Sequence, residues 1–347
     1  MIDLSNYDPN SVSNPNNNIF GLPTTEENAR LIILSVPWEV TVSYGSGTSR
    51  APESIFKASL QVELFDAEMP DAWKQGYYMR QSDRKILMKS DYLRKEAELY
   101  IDYISKGEEV GANQFMSKAL REVNEGGHYL NHWVYEQSKA LLDKGKLVAV
   151  VGGDHSAPLG YFKAIAEKHG EFGMLQIDAH CDLRRAYEAL NYSHASIMRN
   201  ALEEIPQIIP LVQVGVRDYG GDEFEYIRNS NGRVITYFDK EIKNRQHEGE
   251  SWKHIAEEIV SRLPEKVYIS FDIDGLDRKL CPHTGTPVPG GFELEEIFYL
   301  FRKVAESGRK IIGFDLCEVG ISDNDWNANV GARVLLKLSN LLIISNS

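Results

Sequence analysis

Cysteine is scarce in this chain. Only Cys181, Cys281 and Cys317 occur in 347 residues. An odd number at wide spacing, with no CxxC pair, excludes a disulfide framework and makes the reducing cytoplasm the expected compartment. Long apolar runs are missing too: none approaches the length of a membrane span. The opening Met1-Ile2-Asp3-Leu4-Ser5-Asn6-Tyr7 has neither the basic nor the apolar region of a signal peptide. Positive charge is in deficit, with 38 Lys and Arg against 51 Asp and Glu and a net charge of -13. That argues against a general nucleic-acid surface and is compatible with a cationic substrate. Ser43-Tyr44-Gly45-Ser46-Gly47-Thr48-Ser49-Arg50-Ala51-Pro52 is glycine-rich and precedes a helix. It has no Walker lysine and no GxGxxG, so a nucleotide reading is weak.

What is present is an ordinary globular composition, 42% hydrophobic and 26% charged, arranged in alternation. Short apolar runs at 31–36, 147–151, 173–178, 211–216, 234–238, 266–271 and 310–316 read as buried strands. Helical segments are expected near 52–60, 82–106, 129–143, 158–169, 196–204, 251–262, 293–306 and 328–343. The alternation predicts an α/β fold, a mostly parallel sheet with helices on both faces. Residues 1–28, polar and rich in Asn and Pro, read as an irregular arm. Residues 29–347 read as a single domain in which 61–125 resist placement, with Gly126-Gly127-His128 taken as loop punctuation.

The chemistry concentrates in Gln176-Ile177-Asp178-Ala179-His180-Cys181-Asp182. In an extended chain alternate side chains share a face, so Asp178, His180 and Asp182 would leave the strand in one direction and Cys181 in the other, as a buried, inert thiol. Two carboxylates and an imidazole this close call for a cation. Other strand-like runs end in similar residues: His155, the Asp272/Asp274 pair and Glu318, all at the edge where open α/β sheets bind ligands. Six potential ligands, His155, Asp178, His180, Asp182, Asp272 and Asp274, are too many for one tetrahedral zinc. They suit two divalent ions sharing carboxylates, with manganese favoured and a hydroxide available at neutral pH.

Gly152-Gly153-Asp154-His155-Ser156, Asp178-Ala179-His180-Cys181-Asp182 and Ser270-Phe271-Asp272-Ile273-Asp274-Gly275-Leu276-Asp277 resemble the three signatures of the ureohydrolases, which include arginase, agmatinase and formimidoylglutamase. Thr284-Gly285-Thr286-Pro287 with Gly290-Gly291 is similar to the loop after the third signature. The resemblance covers roughly residues 30–340. It implies a three-layer α/β/α fold, a binuclear manganese centre, and assembly as a homo-oligomer, trimer or hexamer. It gives one ion to His155, Asp178, Asp182 and Asp272, and the other to Asp178, His180, Asp272 and Asp274. It makes Asp182 the residue that orients the attacking hydroxide. Glu318 becomes the carboxylate that grips a guanidinium, a charge-assisted pair, and His194 the proton shuttle that also contacts substrate.

The substrate implied is a small cationic guanidino compound, agmatine first, with urea released. Free guanidine, with nickel as the metal, and a guanidino acid are the alternatives. Ala195 stands where agmatinases usually carry glycine. Formimidoylglutamases typically lack the histidine at 194, and the loop 183–192 does not look like the one with which arginase holds an amino acid. Outside these readings stand a catalytically silent homologue, disfavoured by the intact ligand set, and a single-zinc deacetylase, disfavoured by the full Asp-x-His-x-Asp plus Asp-x-Asp set. Residues 61–125 would form a lid or a subunit contact.

Overall fold

A computed structural model describes residues 7–42 and 44–347. Among them eight strands form one sheet, every pairing parallel. The strands are β1 (Leu31–Val36), β2 (Tyr77–Met79), β3 (Leu147–Gly152), β4 (Phe172–Ile177), β5 (Ile208–Val216), β6 (Val234–Phe238), β7 (Lys266–Asp272) and β8 (Lys310–Cys317). Their order across the sheet is β2-β1-β3-β8-β7-β4-β5-β6.

The helices are α1 (Ala51–Ser59), α2 (Arg84–Ser105), α3 (Gln114–Asp143), α4 (Leu159–His169), α5 (Ile197–Glu204), α6 (Gly221–Arg228), α7 (Asp239–His247), α8 (Trp252–Ser261), α9 (Leu294–Glu306) and α10 (Trp326–Ile344). The strand runs are apolar at consecutive positions because both faces are covered. Leu31 and Ile33 pack with Ala149, Val151 and the apolar sides of α1, α8, α9 and α10. Ile32, Leu34 and Val36 pack with Val148, Val150 and those of α2, α3, α4 and α5. This is the three-layer architecture expected.

Several local expectations change. Gly126-Gly127-His128 is not a loop; it lies inside the 30-residue α3. The two glycines weaken the helix by about 1 kcal/mol each relative to alanine, and packing explains them. A Cβ on Gly126 would lie 2.2 Å from Leu93 Cδ1, and one on Gly127 2.8 Å from Tyr192 Cβ. The segment 61–125 contains β2, α2 and the start of α3. The two helices are begun by Asp83 and Asn113, whose side chains accept backbone N–H groups of the first turn. The described part of the amino-terminal arm is irregular but docked, with Ile19, Phe20 and Leu22 in the core. Residues 1–6 and Ser43, part of the arm and of the glycine-rich loop, lie outside the described residues. Helices α6 and α7 were not anticipated.

Candidate metal centre and active site

Four adjacent strands, β3, β8, β7 and β4, end side by side, and each delivers a polar group just past its last residue or at it. The chain turns sharply at three of these ends by the same device. Asp154 Oδ1 accepts the Ser156 N–H (2.9 Å), Asp178 Oδ1 the His180 N–H (2.7 Å) and Asp272 Oδ1 the Asp274 N–H (2.8 Å). Each is an aspartate bonding the backbone two residues on. This corrects the picture of an extended 178–182 run. β4 stops at Ile177, and Asp182 sits in the left-handed region at φ 53°. The three side chains converge through a turn rather than through strand alternation. Cys181 is buried among the apolar side chains of the α2–α5 face, and burial pushes its thiol pKa far up.

His155 Nδ1 lies 3.0 Å from Asp182 Oδ2, 3.1 Å from Asp178 Oδ2 and 3.4 Å from Asp272 Oδ2. His180 Nδ1 lies 3.0 Å from Asp274 Oδ2 and 3.6 Å from Asp178 Oδ1. Two groups result, His155/Asp178/Asp182 and Asp178/His180/Asp274, with Asp178 common to both. Asp272 approaches the first group; the resemblance placed it in both.

These donors fit divalent ions on the structure's own terms. His155 Nδ1 is buried with three carboxylates around it, yet none completes a hydrogen bond, and Asp274 Oδ2 is likewise buried and unpaired. Such orphaned atoms require an explanation, and an ion between nitrogen and oxygens provides one. The other ring nitrogen of His155, Nε2, is 2.9 Å from Ser270 Oγ, which turns Nδ1 toward the acids.

Electrostatics say the same. Burial disfavours a charged His155, but Asp178, Asp182 and Asp272 override it and hold its pKa well above the ordinary value. Burial also opposes His180, and Asp274 and Asp178 drive it up to about 12. Burial and the Asp178 charge raise Asp182 to about 7; burial and Asp274 raise Asp272. Without a cation the cluster recruits protons. Adding manganese to metal-free protein at neutral pH should therefore release protons. The affinity should rise with pH as Asp182 gives up its proton. Titration calorimetry in buffers of different ionisation enthalpy reads this directly, and identical heats in all of them would contradict it.

Beneath the cluster runs a feature that residue-by-residue reading missed. Thr236, Gln213, Gln176, Ser270 and Asp315 stand in register across β6, β5, β4, β7 and β8. Hydrogen bonds join them in two stretches: Thr236 Oγ1 donates to Gln213 Oε1 (2.9 Å) and Gln213 Nε2 to Gln176 Oε1 (2.7 Å), and separately Ser270 Oγ donates to Asp315 Oδ1 (3.2 Å). Gln176 Nε2 donates to Asp178 Oδ2 at 2.7 Å. This row orients both Asp178 and His155. Its sequence signal was one polar residue inside each of several apolar runs, informative only once the strand order is known.

Glu318 follows β8 with φ 60°. Its Oε1 accepts the His155 N–H at 2.9 Å, and its Oε2 is buried with no partner among the described residues. Burial and the Asp154 charge hold its pKa well up. His194 opens a short 3-10 turn. Burial and the nearby imidazoles lower its pKa to about 3. His194, His180 and Asp182 line a cavity of about 450 Å³ with Tyr44, Arg184, Tyr187, Asp218, Glu223, Arg278 and Thr286.

This fold and this site define a class. A model of the "Arginase family" matches residues 29–339, and the chain belongs to that family, hydrolases of guanidino C–N bonds. Among particular relatives, it is 31% identical over 311 residues to the N(1)-aminopropylagmatine ureohydrolase of Thermus thermophilus, covering 89% of each chain. It is 26% identical to the agmatinase of Bacillus anthracis, over 86% of this chain and 85% of that one. The fold is similar to that of the proclavaminate amidino hydrolase of Streptomyces clavuligerus (TM-score 0.70, 20% identity, 96% and 99% covered). No helix among the described residues is long and apolar enough to cross a membrane.

Proposed function

We propose that the chain hydrolyses the guanidino group of a cation-tailed substrate of the agmatine class, releasing urea, with two divalent ions held by His155, Asp178, Asp182, Asp272, His180 and Asp274. Manganese is the first choice for this carboxylate-rich, thiolate-free set, and nickel the second. Such ions supply Lewis acidity and a hydroxide at neutral pH.

The chain's own groups do the rest. Asp182 orients the nucleophile. Glu318 Oε2 accepts from the guanidinium and fixes its plane, and His194, neutral at rest with its pKa held down to about 3, relays a proton to the departing amine rather than storing one. The observation that carries the reading is the unpaired, buried Oε2 of Glu318 beside two acid–imidazole groups. A guanidinium satisfies that oxygen with both charge and N–H donors.

The tail assignment rests on the cavity wall. Arg184 is engaged by Glu223 (3.7 Å) and lies over the Tyr187 ring, while Asp218 is exposed to the cavity and suits an ammonium. A second reading, N(1)-aminopropylagmatine, is favoured by the Thermus relative's name and a cavity of about 450 Å³. The test is urea release from agmatine, N(1)-aminopropylagmatine, guanidinobutyrate and guanidine, each with manganese and with nickel, beside metal analysis. Two ions per chain and preference for a cationic tail support the reading. One ion per chain, or preference for guanidinobutyrate through Arg278, overturns it. We propose in addition a trimeric or hexameric assembly, which light scattering tests; Met88, Tyr92 and Leu99, exposed along α2, support association.

Room for the substrate above Glu318 depends on Gly285, where a Cβ would lie 2.7 Å from Glu318 Oε2. Gly285→Ala should therefore lower kcat/KM by roughly tenfold or more, about 1.4 kcal/mol of transition-state binding, while metal content stays unchanged. Wild-type kcat/KM in this variant would show that the guanidinium does not sit against Oε2.

A further inference from the structure

We propose that Thr41 is the positioning residue for His194, and that helix α2 takes part in catalysis by holding Thr41 in place. The inference rests on the assignment of His194 as proton donor given above.

Thr41 follows β1 and is 3% exposed. Its Oγ1 makes two contacts with one residue: it accepts the His194 backbone N–H at 3.1 Å and lies 3.3 Å from His194 Nδ1. Among the described residues the one other polar group near Nδ1 is Ser193 Oγ, slightly farther at 3.4 Å, which also accepts the Ala195 N–H. Nε2, with no hydrogen-bond partner among the described residues, is the nitrogen left for the cavity that His194 lines.

A hydroxyl is the right group for this task. Nε2 is the nitrogen that gives up the proton, so Nδ1 keeps its hydrogen in the protonated and the neutral ring alike and donates it to Thr41 Oγ1. The ring therefore keeps one orientation before and after it gives up a proton. An amide N–H in its place could accept from Nδ1–H in neither state. The backbone bond to the same oxygen ties the start of the His194 turn to Thr41, so ring and backbone cannot drift separately.

Thr41 is itself held from several sides. Asp154 Oδ2 accepts the Val40 N–H at 3.1 Å. Ser90 Oγ, on α2, accepts the Glu39 N–H at 2.9 Å. Arg94, also on α2, donates from Nη1 to the carbonyls of Val42 and Val40. Glu39, buried, accepts the N–H groups of Gly47 (2.8 Å) and Ser49 (2.7 Å), which ties 39–42 to the loop carrying Tyr44. A helix from the segment that resisted placement thus braces both residues flanking Thr41. Misplacing a catalytic group by about 1 Å can cost on the order of a hundredfold in rate, which gives such bracing a catalytic consequence.

The experiment compares Thr41→Val, Thr41→Ser and His194→Ala in the metal-loaded full chain, using whichever compound of the panel above is turned over fastest. Thr41→Val keeps the shape and removes the hydroxyl. It should lower kcat roughly tenfold to a hundredfold with KM and metal content unchanged. Thr41→Ser should recover most of the loss. In the His194→Ala background Thr41→Val should cost nothing further, because its target is gone. If Thr41→Val is insoluble, Thr41→Ala takes its place in the same comparisons. Wild-type kcat in Thr41→Val, or the same loss with and without His194, overturns the proposal. Wild-type kcat in His194→Ala would instead remove the assignment on which it rests.

Discussion

Asp178→Asn protein should retain fewer than one divalent ion per chain after loading and dialysis, and should release urea at least about a thousandfold more slowly. Asp178 is the one side chain common to both ligand groups. Both its oxygens are also committed to donors, Oδ1 to the His180 N–H and Oδ2 to Gln176 Nε2. An asparagine in that place sets its NH2 against a donor whichever way it is turned, so the substitution removes charge and breaks a buried bond together. Ions in such sites contribute several kcal/mol to the transition state, hence the thousandfold figure. Metal analysis and urea assay on the same sample test it. Two ions retained with activity intact would mean the acids and imidazoles are not the ligands.

Glu318→Gln should behave in the opposite way: metals stay, substrate recognition fails. Glu318 approaches no closer to the ligand set than its bond to the His155 backbone N–H, and a glutamine can still accept there. What is lost is the negative charge that a bound guanidinium would stabilise on the free Oε2, against the burial that otherwise raises the pKa of this carboxyl. Removing one partner of a buried, hydrogen-bonded ion pair costs about 2–5 kcal/mol, so kcat/KM should fall by roughly 30-fold or more. Metal content separates the two possibilities. If it drops with the rate, Glu318 belongs to the metal shell and the guanidinium has another anchor.

Much of the architecture was readable without coordinates because a parallel sheet buried on both faces writes itself as unbroken apolar runs. Leu31-Ile32-Ile33-Leu34 and Leu147-Val148-Ala149-Val150-Val151 needed no context. The illegible parts have particular reasons. β2 has only three residues, too few for a pattern. Two glycines hid the middle of α3 because close packing against Leu93 and Tyr192, not helix propensity, selected them. The short α6 and α7 carry little apolar periodicity; α7 buries just Asp239 and Ile242.

The candidate ligands were legible for a chemical reason: carboxylates and imidazoles so closely spaced past apolar runs repel or compete unless a cation holds them. The residues behind them were not. Ser270, Asp315, Gln176 and Gln213 matter only as a row, and Thr41 only as a neighbour of His194, 153 positions away.

The linear order of residues by itself determined which segments become strands, which side chains end them, and the Asp-based turns that aim those side chains, since these depend on neighbours within two or three positions. The strand order β3-β8-β7-β4 decided that His155, Glu318, Asp272 and Asp178 meet at one rim. That adjacency is set by how whole helices pack on the two faces, and no local stretch of sequence carries it.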